Sequence, residues 1–166
     1  MKMAEEDRIP PCQVFIDKEG RWYHEGAEMI HRDIIRLFYQ HMERDSQGRY
    51  IINWNRQRCY VEVEDTAFVV WRVVRTGKEA SGNARFVLCL SDDSQAVLSP
   101  ETLWVGPQNI LYCQVRNQSF PARFSRAAYY QLAQYVLEED GTYFLPLNGK
   151  RYTLLVEEGS GSSKGD

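Results

Sequence analysis

The fold of the second half of the chain is decided by residues 142–156, TYFLPLNGKRYTLLV, in which two apolar segments flank Asn148-Gly149. Asn-Gly is a strong signal for a two-residue type I′ turn, because both positions of that turn need a positive φ. Such a turn pairs Leu147 with Lys150, and strand alternation then gathers the apolar side chains on one face. That face carries Tyr143, Leu145, Leu147, Tyr152, Leu154 and Val156. The stretch therefore predicts a β-hairpin with one buried face.

Residues 50–63 repeat this hairpin. A shift of 93 positions lays His31–Asp65 over Phe124–Glu158 without a gap and matches six identical residues. The identical pairs are Gly48/Gly141, Tyr50/Tyr143, Asn55/Asn148, Arg58/Arg151, Val63/Val156 and Glu64/Glu157. In the transferred register one face of the first hairpin is again apolar, because it carries Tyr50, Ile52, Trp54, Cys59, Val61 and Val63. A slip of one residue would scramble both sets, so we predict that the chain contains the same unit twice.

Two differences between the hairpins are informative. Arg56 stands where the second hairpin has Gly149, so the first hairpin must either tolerate a strained φ or use another turn. Pro146 replaces Asn53 and has no N–H, so its strand is expected at a sheet edge or beside a bulge.

A helix precedes each hairpin. In 32–44 the apolar residues Ile35, Phe38, Tyr39 and Met42 recur at helical spacing. The second stripe is Ala128, Leu132, Tyr135 and Val136, with Ser125 as a plausible N-cap. Ahead of the helices, the segments 12–14 and 113–115 share the tripeptide Cys-Gln-Val and predict matching strands. Each unit is therefore predicted as strand, strand, helix, strand, strand.

The predicted fold class is α+β, with additional antiparallel strands between the two repeats and a pseudo-two-fold arrangement of the repeats. The predicted organisation is a flexible N-terminus at 1–11, a first repeat at 12–65 and intervening strands at 66–108. A second repeat follows at 109–158, and a flexible Gly/Ser tail at 159–166.

Composition narrows the class of protein. The chain has 166 residues, a formal net charge of −3 and 13% aromatic residues, which favours an ordered globular domain. The negative charge argues against non-specific nucleic-acid binding. No apolar run is long enough for a membrane span, and the acidic N-terminus is not a secretory signal. We therefore expect a cytoplasmic protein with neither a nucleic acid nor a membrane as its partner.

The cysteines and histidines do not form a recognisable catalytic or metal motif. Cys12, Cys59, Cys89 and Cys113 are far apart in sequence, each among apolar residues, and are expected to be free thiols. The three histidines lack metalloprotease spacing, and phosphate-binding loops and nucleophile elbows are missing. The sequence therefore predicts no catalytic residue, no metal and no cofactor.

Four residues are candidates for a binding site. Trp22 and His24 alternate along a short strand and should share one face. Arg58 and Arg151 mark the two hairpins and would suit an anion, although ion pairs with neighbouring glutamates are a simpler structural role. Trp22 in a small domain is likewise more often a core residue than a pocket residue.

An ordered series of short motifs resembles a known bacterial family. The motifs are Ile16-Asp17-x-x-Gly20-Arg21-Trp22-x-His24-x-Gly26, the helix after it, Gly48-x-Tyr50 and Val63-Glu64-Asp65-x-x-Phe68. Together they resemble domain of unknown function 1285 over about residues 13–156. The resemblance implies a mixed α+β fold built from two repeated motifs. It implies no catalytic residues and no activity beyond a suggested involvement in signalling.

Two functional hypotheses follow. The first is a non-enzymatic binding or regulatory module that takes a protein partner, or a second copy of itself, through edge strands or the groove between repeats. The alternative is a small-ligand binder or small enzyme with a pocket between the repeats, for which Cys59, Cys89 and His24 are the candidates.

Overall fold

The computed structural model describes residues 8–157. Of the flexible ends predicted at 1–11 and 159–166, residues 1–7 and 159–166 lie outside the described residues, and Pro11 is the first residue of a strand. The fold is mixed α+β. It divides into two compact units, Met1–Ala67 and Phe68–Asp166. Within residues 8–157, no helix is long and apolar enough to cross a lipid bilayer.

The first unit is a six-stranded sheet with one helix. Its elements are β1 (Pro11–Ile16), β2 (Trp22–His24), β3 (Ala27–Glu28), α1 (Arg32–Gln40), β4 (Met42–Arg44), β5 (Tyr50–Trp54) and β6 (Gln57–Val63). The strand order is β3-β2-β1-β6-β5-β4. The central β1–β6 pair is parallel, and the other neighbours are antiparallel.

Helix α1 buries one stripe against this sheet. Ile35 and Tyr39 are each 1% exposed, and the Tyr39 hydroxyl donates a 2.7 Å hydrogen bond to the Ala67 carbonyl. The helix predicted for 32–44 is shorter than expected. It ends at Gln40, because Met42 leaves the helical stripe and pairs with Ile52 as an edge strand.

The second unit begins with the strands that were predicted between the repeats. Its elements are β7 (Phe68–Thr76), β8 (Arg85–Leu90), β9 (Gln95–Val97), β10 (Trp104–Val105), β11 (Leu111–Val115), β12 (Phe120–Phe124), α2 (Arg126–Ala133), β13 (Leu137–Glu139), β14 (Thr142–Leu147), β15 (Lys150–Thr153) and β16 (Leu155–Val156). One sheet has the order β16-β10-β11-β12-β7-β8-β9, and a second has the order β13-β14-β15.

The hairpin registers predicted from the sequence are confirmed. Leu147 pairs with Lys150 in the second unit, and Trp54 pairs with Gln57 in the first. Asn148 and Gly149 have φ of 53° and 82°, as a type I′ turn requires. The first hairpin makes the same turn with Arg56 at φ 62°, so it tolerates the strain and does not change turn type.

Pro146 occupies an edge position only locally. Its strand β14 is the middle strand of its sheet, but pairing with β13 stops at Phe144. At Pro146, the side of β14 that faces away from β15 therefore has no β13 residue to pair with. The N–H that proline lacks costs no ladder hydrogen bond there.

The strand pairings confirm the internal repeat and extend it. The order β12-β11-β10, followed by the β16/β15 segment, β14 and β13, reproduces β3-β2-β1-β6-β5-β4 strand for strand. Each repeat therefore contains the predicted motif and one further strand on each side of the helix.

Matched contacts fix the equivalences. Phe15 faces Tyr23 with ring centroids 6.2 Å apart, and Trp104 faces Tyr112 at 5.1 Å. The Glu64 N–H donates to the Ile16 carbonyl, as the Glu157 N–H does to Val105. Strand β10 is thus the counterpart of β1, and β11 is the counterpart of β2. The shared Cys-Gln-Val tripeptide is not a repeat equivalence, because it falls on β1 and β11.

Candidate binding groove

An apolar groove lies beside α1 in the first unit. A cavity of about 550 Å³ has Val14 and Ile52 in its floor and Ile34 and Phe38 from α1 in its wall. A second cavity of about 420 Å³ shares Phe38, Ile52 and Cys59 with it and continues to Trp54. We call the two together the α1 groove. Each of the two cavities has a volume in the range of small-molecule sites.

A disulfide forms part of the groove floor. Cys12 on β1 and Cys59 on β6 are bonded, with Cα atoms 4.9 Å apart. The expectation that all four cysteines are free thiols is wrong for these two, because the parallel β1–β6 pairing brings residues 47 positions apart into contact. Cys89 and Cys113 are free. Burial raises the pKa of Cys113 to about 12.

Aromatic side chains build the wall between the two cavities. Phe38 stacks on Trp22 with ring centroids 6.1 Å apart and meets Trp54 edge-on at 6.3 Å. Trp54 also stacks on His41 at 5.8 Å. Trp22 itself is 1% exposed and packs on Tyr39, so it supports the groove from the core and does not line it.

The rim of the groove carries its titratable groups. His24, Glu28 and His31 line the mouth of the larger cavity, and all three are exposed. The candidate His24 therefore lies at the groove, where β2, β3 and the start of α1 meet.

The two candidate arginines are equivalent residues with ion-pair partners. Arg58 lines the smaller cavity and pairs with Glu43 at 3.4 Å. Arg151 pairs with Glu139 and lies over the Phe144 ring at 3.8 Å. Both pairs link the last hairpin strand to the short strand after the helix. The structure therefore brings His24 and Arg58 to one groove and places Arg151 in the other unit.

The most exposed apolar residues of the groove are not among the four residues that the sequence predicted for a binding site. Ile30 is 75% exposed, Ile34 is 43% exposed and Trp54 is 40% exposed. The sequence could have identified Ile34 as a candidate binding residue, since it is an apolar residue outside the buried stripe of its own helix. Trp54 was predicted on the buried face, but it lies beside the hairpin turn, where the sheet ends.

The groove offers no candidate metal centre. Within residues 8–157, no three His, Cys, Asp or Glu side chains are grouped so that they could hold a metal ion. The first unit also has a cavity of about 660 Å³ lined by Asp17, Tyr23, Glu25 and Glu62. The Asp17 carboxylate there accepts hydrogen bonds from the Glu19 and Arg21 N–H groups, so it serves a turn.

Comparison with known proteins supports the fold. Neither a protein-family model nor a curated protein matches the sequence. Among solved structures, a DUF1285 family protein from Silicibacter pomeroyi DSS-3 matches with a TM-score of 0.72 and 20% identity, covering 92% of this chain and 87% of that chain. The chain has the DUF1285 fold. A DUF1285 family protein from Shewanella baltica OS155 matches with a TM-score of 0.61 and 15% identity, covering 75% of this chain and 91% of that chain.

The DUF1285 fold predicted from short motifs is thereby confirmed. At 20% and 15% identity the likeness establishes the fold alone.

Proposed function

We propose that this DUF1285-fold protein is a binding module and that the α1 groove is its binding site. One observation carries the proposal: at the end of the hairpin that follows the helix, the second unit buries with its own chain a position that the first unit leaves open. Trp54 is 40% exposed in the first unit, whereas its counterpart Leu147 is 7% exposed.

The covering segment in the second unit is the β7–β8 hairpin. Helix α2 packs along β7, and the Val73 N–H donates a 2.7 Å hydrogen bond to Gln131 Oε1. At the other end, the Asn148 side chain binds the backbone of Ala84 in the β7–β8 connection. Its Oδ1 accepts from the Ala84 N–H at 2.9 Å, and its Nδ2 donates to the Ala84 carbonyl at 2.7 Å. In the described part of the first unit, residues 8–67, no strand takes the corresponding place beside α1.

The chemistry of the open groove suits an apolar ligand. Ile30, Ile34 and Trp54 expose apolar surface in one neighbourhood, and such patches mark interaction sites in proteins. Covering this surface would be favourable by about 25 cal/mol for each Å² removed from water.

Within the α1 groove, binding is favoured over thiol catalysis. Cys59, one of the candidate nucleophiles, is bonded to Cys12 and has no thiol in this state. Cys113 is buried, and its pKa of about 12 keeps it protonated at neutral pH. Disulfides persist mainly in oxidising compartments. The cytoplasmic location and the role in signalling are predictions from the sequence.

An apolar dye tests the proposal. We expect the full chain to bind 8-anilinonaphthalene-1-sulfonate, and Ile34→Glu to reduce the bound fluorescence severalfold, because a carboxylate then lies in the groove wall. Tyr130→Glu is the matched control, since Tyr130 is 58% exposed on α2. Ile30→Glu is a second groove variant outside the helix.

Circular dichroism and the melting temperature establish that each variant is folded. Equal fluorescence for wild type, Ile34→Glu and Ile30→Glu would show that the α1 groove is not the apolar site.

A further inference from the structure

We propose that the α1 groove binds an extended β-strand of another protein, which adds in parallel to the free edge of β3. This inference rests on the proposed function and names the occupant of the same site. It is carried by the internal repeat, because the second unit shows what fills the equivalent place.

The counterpart of β3 is already paired on its outer side. Tyr23 faces Glu28 as Tyr112 faces Arg123, so β3 corresponds to β12. In the second unit β12 carries β7 as a parallel neighbour, with Arg123 opposite Val69. In the first unit β3 is the last strand of its sheet. Among residues 8–67, the part of the first unit that the structure describes, the β3 edge is therefore vacant where the second unit has a strand.

The backbone of the vacant edge is suitably oriented. Ala27 closes the tight turn from β2 opposite His24, and the Met29 N–H donates to the Trp22 carbonyl at 2.8 Å. Because strand backbone groups alternate in direction, the N–H and C=O of Glu28 point to the outer edge. These two groups are the ladder partners that an added strand would use.

The path of β7 beyond β12 corresponds to the groove. The Val70 carbonyl accepts a 2.9 Å bond from the N–H of Ser125, the N-cap of α2, and β7 then reaches Gln131 at Val73. The N-cap of α1 is His31, and Phe38 is the counterpart of Gln131. A strand leaving the β3 edge on this path passes His31 and Phe38, which are groove residues.

The sequence of β7 indicates the kind of strand that fits. Phe68, Val69, Val70 and Val73 are buried, whereas Trp71 and Arg72 are exposed. In the second unit Gln131 accepts a backbone hydrogen bond, and at the equivalent position the first unit has the apolar Phe38. The α1 groove therefore offers an apolar contact to a side chain of the partner strand at this position. The partner strand is therefore expected to carry three consecutive apolar residues and a fourth apolar residue three positions later.

Charge at the edge disfavours a second copy as the occupant. Edge-to-edge pairing of two identical copies about a two-fold axis would bring their Glu28 carboxylates close together, and like charges on facing strands repel. A short edge strand with a charged residue is also a common protection against self-association. The favoured occupant is a strand from a different protein.

The test uses the full chain and a fluorescein-labelled peptide of residues 67–76, AFVVWRVVRT, as the probe. Binding is followed by fluorescence anisotropy, with a scrambled peptide of the same composition as the control. We expect saturable binding of the native-order peptide and at least tenfold weaker binding of the scrambled one.

Two pairs of variants locate the peptide. Glu28→Pro removes the outward N–H, whereas Glu28→Ala removes the same side chain and keeps the N–H, so Glu28→Pro should bind the peptide at least tenfold more weakly than Glu28→Ala. Ile34→Glu should weaken binding at least tenfold, and Tyr130→Glu should leave it unchanged. Glu28→Pro should still bind the apolar dye, because the groove wall is intact.

Three outcomes would overturn the inference. Equal peptide binding by Glu28→Pro and Glu28→Ala would exclude pairing at the β3 edge. Dye binding without peptide binding would leave the proposed site intact and assign it to a small apolar ligand. A concentration-dependent dimer in light scattering that Ile34→Glu abolishes would make a second copy the occupant. Equal dye fluorescence for wild type, Ile34→Glu and Ile30→Glu, in contrast, would overturn the proposed function itself.

Discussion

Arg56 holds a left-handed backbone conformation that the second hairpin assigns to glycine. Its φ is 62°, and Gly149 has φ 82° at the equivalent position. An L-residue with a Cβ atom pays for this conformation, and glycine does not. The two hairpins are therefore a matched pair for measuring the strain of one residue.

We expect Arg56→Gly to stabilise the protein by about 1 kcal/mol, because Arg56 is exposed and its removal relieves the backbone. Gly149→Ala should destabilise by a similar amount, although a Cβ there would meet nothing within 4 Å. Urea unfolding of both variants measures the two signs. A loss of stability in Arg56→Gly would mean that its side chain contributes more than its backbone costs.

Gly106 is required for a different reason. Its φ is −94°, which any residue adopts, but a Cβ atom would lie 2.7 Å from Cε2 of Tyr112. We expect Gly106→Ala to destabilise by about 1–3 kcal/mol, as overpacking does. The double variant Gly106→Ala/Tyr112→Leu should lose less than the sum of the single variants. Additive losses in chemical unfolding would locate the strain elsewhere.

At the scale of elements, the turn between β4 and β5 depends on one carboxylate. Asp45 accepts hydrogen bonds from the N–H groups of Gln47 and Arg49, at 3.0 and 2.8 Å, and from Arg49 Nε at 2.7 Å. Burial raises the pKa of Asp45, but the hydrogen bonds from Arg49 and Gln47 together outweigh it and hold the pKa below its usual value. The charged form is thus the one that this turn stabilises.

This shift predicts an acid-dependent loss of stability. A carboxyl group whose pKa is lower in the folded protein stabilises it fully above the unfolded pKa, about 4, and the contribution disappears as the pH falls through the folded pKa. Asp45→Asn should therefore lower the free energy of unfolding at pH 7, and the difference from wild type should shrink below pH 4. Asp33→Asn, at a side chain 90% exposed, is the control. A difference that does not change with pH would contradict the prediction.

At the scale of the whole molecule, the two units differ in covalent cross-linking. Cys12 and Cys59 close a loop with a sequence separation of 47 in the first unit, whereas Cys89 and Cys113 in the second are free. In the loop-entropy account, such a cross-link stabilises by about 4 kcal/mol, mainly by restricting the unfolded chain.

We expect reduction with dithiothreitol to lower the stability of the first unit. Hydrogen exchange of core amides in residues 8–67 should become faster, while core amides in 68–157 change little. The double variant Cys12→Ser/Cys59→Ser should not respond to the reductant. Thiol titration of the unfolded protein should give two thiols before reduction and four after it. Four thiols before reduction would show that the bond does not form.

Several elements followed from local sequence patterns. Asn148-Gly149 and the alternation around it fixed the second hairpin, and its transfer to residues 50–63 fixed the first, because turn geometry and strand period act over a few residues. The cores of both helices were predictable for the same reason. The ends of both helices were misplaced. In α1, pairing of Met42 with Ile52 replaced a helical turn, and α2 ends at Ala133, before Tyr135 and Val136 of the predicted stripe.

The sequence by itself determined two hairpins, two helices and their repetition, since each is encoded by contacts between residues near in the chain. The tertiary structure alone decided the parallel β1–β6 pairing, the Cys12–Cys59 bond beside it and the short strands β3 and β4. It also decided that the groove beside α1 is open while its counterpart is covered by β7. These features depend on which distant segments become neighbours, and no local periodicity specifies that choice.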